Sequence, residues 1–272
     1  MKNIACIIAR TNSKRLPNKA LIDVNGSALI EYIINKLKKS KLIDGIYVCT
    51  STEKKDKVLI DIADRNGVKA YAGSLDAPIE RMLSVAKSQR ADNIIRVTGD
   101  NVFTDETYID LMLKHHMANK VDYTRTEYLP VGVSAEIISH AALLQCNKLI
   151  DPKFTEYLFL YMFQPEMFHC QVLIPPLQYR RPNWTLTVDT QEDYKRTLSI
   201  IKHSRKQTLN YIDILKICRT AAIPHLQLGS EKSVSFPAGV KLSYKAFALE
   251  KSMRISKAKK VFLSNKEIKA FL

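Results

Sequence analysis

Apolar and polar positions alternate in blocks along the first half of the chain, with block lengths typical of short strands and amphipathic helices. Residues 4–9 form a continuous apolar run that stops at a polar loop, as a strand covered on both faces does. Leu29, Ile30, Ile33, Ile34 and Leu37 recur at helical spacing, with Ser27 as candidate N-cap and lysines behind the last turn. The pattern then predicts a strand over 46–50, a helix over 57–65 closed by Asn66-Gly67, and a strand over 68–72. A helix over 78–87 with Pro78 in its first turn and a strand over 93–97 follow, and Thr104 or Asp105 is placed to cap a helix running to about His116. Such alternation predicts βαβ units and a mostly parallel sheet.

The second half is less regular. Strands are predicted over 133–138, 170–174 and 184–188, and helices over 139–148, 155–163, 189–202 and 211–220. Beyond Gly229 the alternation fades and the charged residues become mostly basic, which divides the chain into an α/β unit over 1–228 and a basic C-terminal extension over 229–272.

Composition changes this picture little. A chain of 272 residues, 46% hydrophobic and 25% charged, can bury a sizeable core. No apolar run reaches the ~18 residues of a membrane span, and charges interrupt the one early apolar run, so no secretory signal is expected. Cys6, Cys49, Cys146, Cys170 and Cys218 form no C-x-x-C pair, which argues against a disulfide framework or a metal cluster. A cytoplasmic, reduced protein is the expectation. The net charge of +15 raises nucleic acid as a ligand. Ten Lys or Arg against three Glu after residue 229 account for about half of that excess, and no nucleic-acid-binding module is recognisable.

The chemistry concentrates in three places. Arg10, Arg15 and Lys19 share a loop stiffened by Pro17, at the carboxyl end of a predicted parallel strand, where ligands of open α/β sheets bind. Three cations so close repel one another unless an anion lies among them, and a triphosphate supplies several charges at once; the alternative is a solvated basic loop. Asp100 and Asp189 each follow a strand-like run. Two carboxylates at one sheet edge beside a basic loop would make a hard-oxygen site for Mg²⁺ serving phosphoryl or nucleotidyl transfer, whereas either alone could cap the helix behind it. Gly99 fits both readings by permitting close backbone approach. G-x-x-x-x-G-K-[ST], G-x-G-x-x-G, G-x-S-x-G and H-E-x-x-H are all missing. His115 and His116 suit a helix end, and the aromatic stripe Phe154, Tyr157, Phe159, Tyr161, Phe163 suits core or dimer contact better than base stacking.

The segment Ala9-Arg10-Thr11-Asn12-Ser13-Lys14-Arg15-Leu16-Pro17-Asn18-Lys19 resembles the A-R-x-x-S-x-R-L-P-x-K opening of the CMP-sugar cytidylyltransferases, the group of the CMP-Kdo and CMP-sialate synthetases. Ile95-Arg96-Val97-Thr98-Gly99-Asp100-Asn101 and Leu186-Thr187-Val188-Asp189-Thr190-Gln191-Glu192-Asp193 are similar to segments of its spore-coat-polysaccharide branch. The resemblance spans about residues 1–225. It implies a three-layer nucleotidyltransferase fold (GT-A-like, Rossmann-like) with a mostly parallel central sheet, often in a homodimer. It implies a CTP site using Ala9, Arg10, Ser13, Arg15, Lys19, Arg81 and Asp100, with Mg²⁺ on Asp100 and Asp189. An acidic-sugar acceptor, nonulosonate or Kdo-like, would meet Asn101, Glu136, Thr155 and Tyr157. Val102-Phe103 stand where the branch has proline after G-D-N, and Lys153-Phe154-Thr155-Glu156-Tyr157 replace its H-V-T-P-Y-like segment. The implied reaction is CMP transfer from CTP with release of pyrophosphate, for surface glycans. Alternatives are another nucleotide, a phosphorylated or phosphonate acceptor, or a non-catalytic nucleotide- or polyanion-binding relative. A glycosyltransferase D-x-D pair is lacking, since Asp100-Asn101-Val102 has no second acid.

Overall fold

The computed structural model describes residues 1–13, 15–149, 158–228, 233–235 and 241–271. In chain order the strands are β1 (Asn3–Ile8), the hairpin of β2 (Asp23–Val24) and β3 (Ser27–Ala28), β4 (Gly45–Ser51), β5 (Lys69–Gly73), β6 (Asn93–Thr98), β7 (Tyr123–Thr126), β8 (Glu136–Ser139), β9 (Cys170–Ile174), the hairpin of β10 (Ser233–Ser235) and β11 (Lys241–Ser243), and β12 (Lys259–Phe262). Eight of them make one sheet in the order β12-β9-β7-β8-β6-β1-β4-β5. Its pairs are parallel except that β8 runs antiparallel to β6 and β7.

The helices are α1 (Leu29–Leu37), α2 (Lys57–Arg65), α3 (Pro78–Gln89), α4 (Glu106–Asn119), α5 (His140–Leu149), α6 (Leu158–Met162), α7 (Gln191–Ile201), α8 (Tyr211–Thr220), α9 (Tyr244–Lys257) and α10 (Asn265–Ala270). They cover both faces. Ala5 and Ile7 of β1 join the larger core with α1, α2, α4, α7, α8 and α10, while Ile4 and Cys6 join the other with α3, α5 and α6. Period-2 alternation under cover on both sides is why this strand reads as an unbroken apolar run. The expected three-layer α/β architecture with a mostly parallel sheet is the observed one.

Several elements differ from expectation. Ala28, not Ser27, is the N-cap of α1; Ser27 belongs to β3, and the Glu31 carboxylate accepts from the Ala28 backbone N–H at 2.8 Å. β7 was not foreseen. Its sequence, Tyr-Thr-Arg-Thr, lacks an apolar run because Thr124 is buried by hydrogen bonding: it accepts from Gln171 Nε2 at 2.8 Å and meets His116 Nδ1 at 2.8 Å. Residues 184–188 make no ladder. They are extended and held by isolated contacts, with Leu186 N donating to Val131 O (2.7 Å) and Val188 N to Asp100 O (2.9 Å). Gly132, at φ +96°, lets this crossing pass, since a Cβ there would lie 2.6 Å from Thr187 N. After Gly229 the chain returns to the sheet. β12 pairs with β9, and Leu263 and Ile268 are buried in the larger core.

Candidate active site

Residues 9–13 and 15–19 follow β1 and lie over the carboxyl edge of the sheet. Thr11 O accepts from Ser13 N (3.0 Å) and Asn18 N (3.2 Å), with Asn18 in the left-handed region that asparagine tolerates and Leu16 buried as an anchor. Asp56 holds the loop from beneath. Its Oδ1 accepts the Thr11 N–H at 2.8 Å and the Thr11 hydroxyl at 2.6 Å, and its other oxygen accepts the Ser51 hydroxyl. Burial pushes the Asp56 carboxyl up, but the bonds from Ser51 and Thr11 more than offset it and hold the group below its usual range. Sequence reasoning missed this residue, because Lys54-Lys55-Asp56-Lys57 has the look of a solvated charge run.

Gly99 brings a second segment against the first. Its N–H donates to Ile8 O at 2.8 Å, and a Cβ on it would lie 2.8 Å from the Ala9 Cβ. Asp100 follows, fixed by the Thr98 hydroxyl donating to its Oδ1 at 2.6 Å. The Val188 bond to Asp100 O brings Asp189 alongside. The two acids meet on one cation: Lys19 Nζ lies 3.0 Å from Asp100 Oδ2 and 2.8 Å from Asp189 Oδ1, and Arg15 Nη2 lies 3.0 Å from the same Asp189 oxygen. Burial lowers the Lys19 pKa, yet the charges of Asp100 and Asp189 outweigh it and the ammonium ends above its ordinary value.

Capping is done by other residues. Asp105 caps α4, accepting from Tyr108 N at 3.0 Å. Thr190 caps α7, with Asp193 closing the capping box by accepting the Thr190 N–H at 2.9 Å. Neither Asp100 nor Asp189 caps a helix, and both carboxylates face the loop cations. The pair suits a divalent cation: two hard-oxygen donors come from separate segments, with a lysine ammonium as the stand-in cation between them. Groups of three or more acidic, His or Cys side chains are not found among the described residues, so ligands beyond these two would come from phosphate oxygens and water.

The remaining expected residues fall around this centre. Arg81, on α3, is buried and donates through Nη1 to Cys49 O at 3.1 Å. Burial lowers its pKa and the neighbouring Arg10 charge adds to the effect. Arg10 is half-buried, Ser13 half-buried and Arg15 exposed. Asn101 turns the chain after Asp100, its carbonyl accepting from Thr104 N at 2.9 Å. Glu136 opens β8 with both carboxylate oxygens engaged, one by Arg96 and the other by the Tyr123 hydroxyl. Thr155 and Tyr157 lie outside the described residues. Of the aromatic stripe, Phe163 is buried in the core, its ring 5.8 Å from that of Tyr123. Arg96 and Thr98 were missed as site residues although they stand in the same short segment as Asp100.

Comparisons with known proteins find relatives in both sequence and fold. The model of a family described as cytidylyltransferase matches residues 4–267. A Methanocaldococcus jannaschii protein, MJ1063, is 34% identical over 205 residues, covering 75% of this chain and 84% of that protein. The spore coat polysaccharide biosynthesis protein SpsF of Bacillus subtilis is 29% identical over 203 residues, 72% of this chain and 85% of its own. Among solved structures, a cytidylyltransferase from Leptospira borgpetersenii superposes with a TM-score of 0.78 at 27% identity, covering 84% of this chain and 99% of that one.

Proposed function

This chain belongs to the cytidylyltransferase family, and from that premise we propose that it transfers CMP from CTP to an acidic sugar, a nonulosonate or Kdo-like acid, for surface glycan biosynthesis. The observation that carries the reading is the convergence of Asp100 and Asp189 on the Lys19 ammonium beneath the basic loop. The anomeric hydroxyl of the acceptor attacks the α-phosphorus in line; the bond from that phosphorus to the bridging oxygen breaks, pyrophosphate leaves, and the hydroxyl proton passes to solvent.

Asp100 and Asp189 would hold Mg²⁺, which would supply positive charge against the phosphates during the transfer. Lys19, within 3.0 Å of both acids, and Arg15, 3.0 Å from Asp189, carry the charge that accumulates on pyrophosphate. Arg10 and Arg81 line the nucleotide side, and Ala9 and Ser13 offer backbone where the loop turns. Little covalent chemistry falls to the protein, so positioning and charge stabilisation supply the acceleration. We further propose a homodimer working in the cytoplasm; among the described residues no helix is long and apolar enough to cross a membrane.

The test is pyrophosphate release with each of the four nucleoside triphosphates and a panel of sugar acids. CTP is expected to be the preferred donor, and Asp100→Asn to lose about 10²–10³ in turnover, the usual cost of one electrostatic contact, with an unchanged melting temperature. Near-normal release by Asp100→Asn contradicts the metal role, and preference for another triphosphate contradicts the donor.

A further inference from the structure

On the α3–α5–α6 face of the sheet, a row of charged residues leads away from Asp100. Arg96 on β6 is the register partner of Glu136 on β8. The ladder between β8 and β7 runs through Ile137 and Thr124, so the next position sets Arg125 opposite Glu136. Arg96, Glu136 and Arg125 therefore form one row across three strands, with the Arg125 guanidinium 5.3 Å from the centre of the Phe163 ring.

Two residues nearer the carboxyl edge, and on the same face by strand alternation, stand Thr98, which fixes Asp100, and Glu127. Glu127 is only 4% exposed, and its carboxylate is gripped from two sides. Arg125 Nη2 lies 3.0 Å from one oxygen and Lys251 Nζ 3.0 Å from the other. Lys251 comes from α9, beyond Gly229, and α9 is fastened to the same place by Arg254 donating to Phe163 O at 3.0 Å. From β6 across β8 to β7 is two interstrand steps, about 10 Å. That span matches the carbon chain of a sugar acid whose attacking hydroxyl sits beside Asp100. An ammonium has three donors, Glu127 takes one, and the Lys251 side chain keeps 32% of its surface open.

We propose that Lys251, delivered by α9 and oriented with Arg125 by Glu127, forms the distal end of the acceptor pocket and binds the hydroxyl-bearing tail of the sugar acid. The basic C-terminal segment is then a specificity element of the site, with Glu127 a positioning residue. This inference rests on the reading of the chain as a sugar-acid cytidylyltransferase.

Steady-state kinetics on the full chain, with CTP, Mg²⁺ and a panel of sugar acids including 3-deoxy-manno-octulosonate and N-acetylneuraminate, separates the two. Lys251→Ala is expected to raise the acceptor KM about tenfold or more, the loss of one charge-assisted hydrogen bond, with the CTP KM unchanged and Lys251→Arg restoring much of the effect. An unchanged acceptor KM overturns the inference and leaves the transferase reading standing. A parallel rise in both KM values with a lower melting temperature makes Lys251 a structural strap and also overturns it. Should Lys251→Ala fail to fold, Lys251→Gln keeps the stem and is judged by the same split. A wild type inactive with every acid overturns the acceptor reading and this inference together.

Discussion

Asp189 and Asp193 stand four positions apart and separate two tasks that one aspartate before a helix could have combined. Asp189 turns to Lys19 and Arg15. Asp193 accepts the Thr190 N–H and pairs at 2.7 Å with Arg196, whose side chain is fully buried and also donates to Thr187 O and His225 O. Arg196 thus ties the segment that delivers Asp189 to the helix behind it. Asp193→Ala removes a cap and strands a buried guanidinium, and the expected cost is about 3–5 kcal/mol, read as a lower urea midpoint. Asp189→Asn is expected to leave that midpoint in place while activity falls. If Asp193→Ala unfolds at the wild-type midpoint, the Arg196 pairing contributes nothing and this division of labour is wrong. The candidate site was legible at this scale where a residue type had a chemical reason to stand after a strand, as Asp100, Asp189 and Lys19 do. It was illegible where a charged residue works from beneath, as Asp56 does, because only the fold brings Thr11 and Ser51 to its oxygens.

Among the elements, β1 was readable because both faces are covered and its apolar run is unbroken, and β4, β6 and β9 because theirs are broken only by single polar positions such as Arg96 and Gln171. Residues 184–188 alternate apolar and polar as a strand does but make no ladder, since alternation specifies an extended backbone and says nothing of its hydrogen-bond partners. The C-terminal segment failed to show itself for the converse reason. Lys259-Lys260-Val261-Phe262 is an edge strand with lysines on it and Phe262 exposed, the kind of edge that polar residues protect from further pairing. Its contribution lies next door: Leu263 N donates to Ile174 O at 2.9 Å, and His115 Nε2 meets Glu267 Oε1 at 3.1 Å to dock α10 on α4. Truncation after Leu228 removes the buried Leu263 and Ile268 and uncovers β9, every residue of which is buried. The expected loss is at least about 4 kcal/mol for two core side chains, measured by urea unfolding. A truncated chain with the full-length midpoint would show that β12 and α10 merely rest on the domain.

At the scale of the whole molecule, one buried imidazole couples the α4 face of the sheet to pH. His116 lies near the end of α4, and its Nδ1 meets the Thr124 hydroxyl of β7 at 2.8 Å. With Gln171 Nε2 donating to Thr124 Oγ1, the hydroxyl proton is available to Nδ1, which binds the neutral ring across α4, β7 and β9. Burial pushes the His116 pKa down from 6.5 to about 4, with Asp122 opposing weakly. A group held neutral by the fold favours the unfolded chain once it must be protonated. Its stabilising contribution is therefore present in full above the unfolded value of 6.5 and is lost as pH falls from 6.5 toward 4. Asp56, Asp193 and Glu267 are held below their ordinary values, so their contributions are lost at lower pH still, while the buried Asp105, pushed up by desolvation, works in the opposite sense. Between pH 7 and 4 the unfolding free energy is expected to fall by about 3 kcal/mol on account of His116. Urea titrations at a series of pH values measure that slope, and His116→Gln should flatten it even though the variant starts from a lower stability. Parallel slopes for the two proteins would mean that the imidazole is not what links acid to unfolding, and that the carboxylates alone do so.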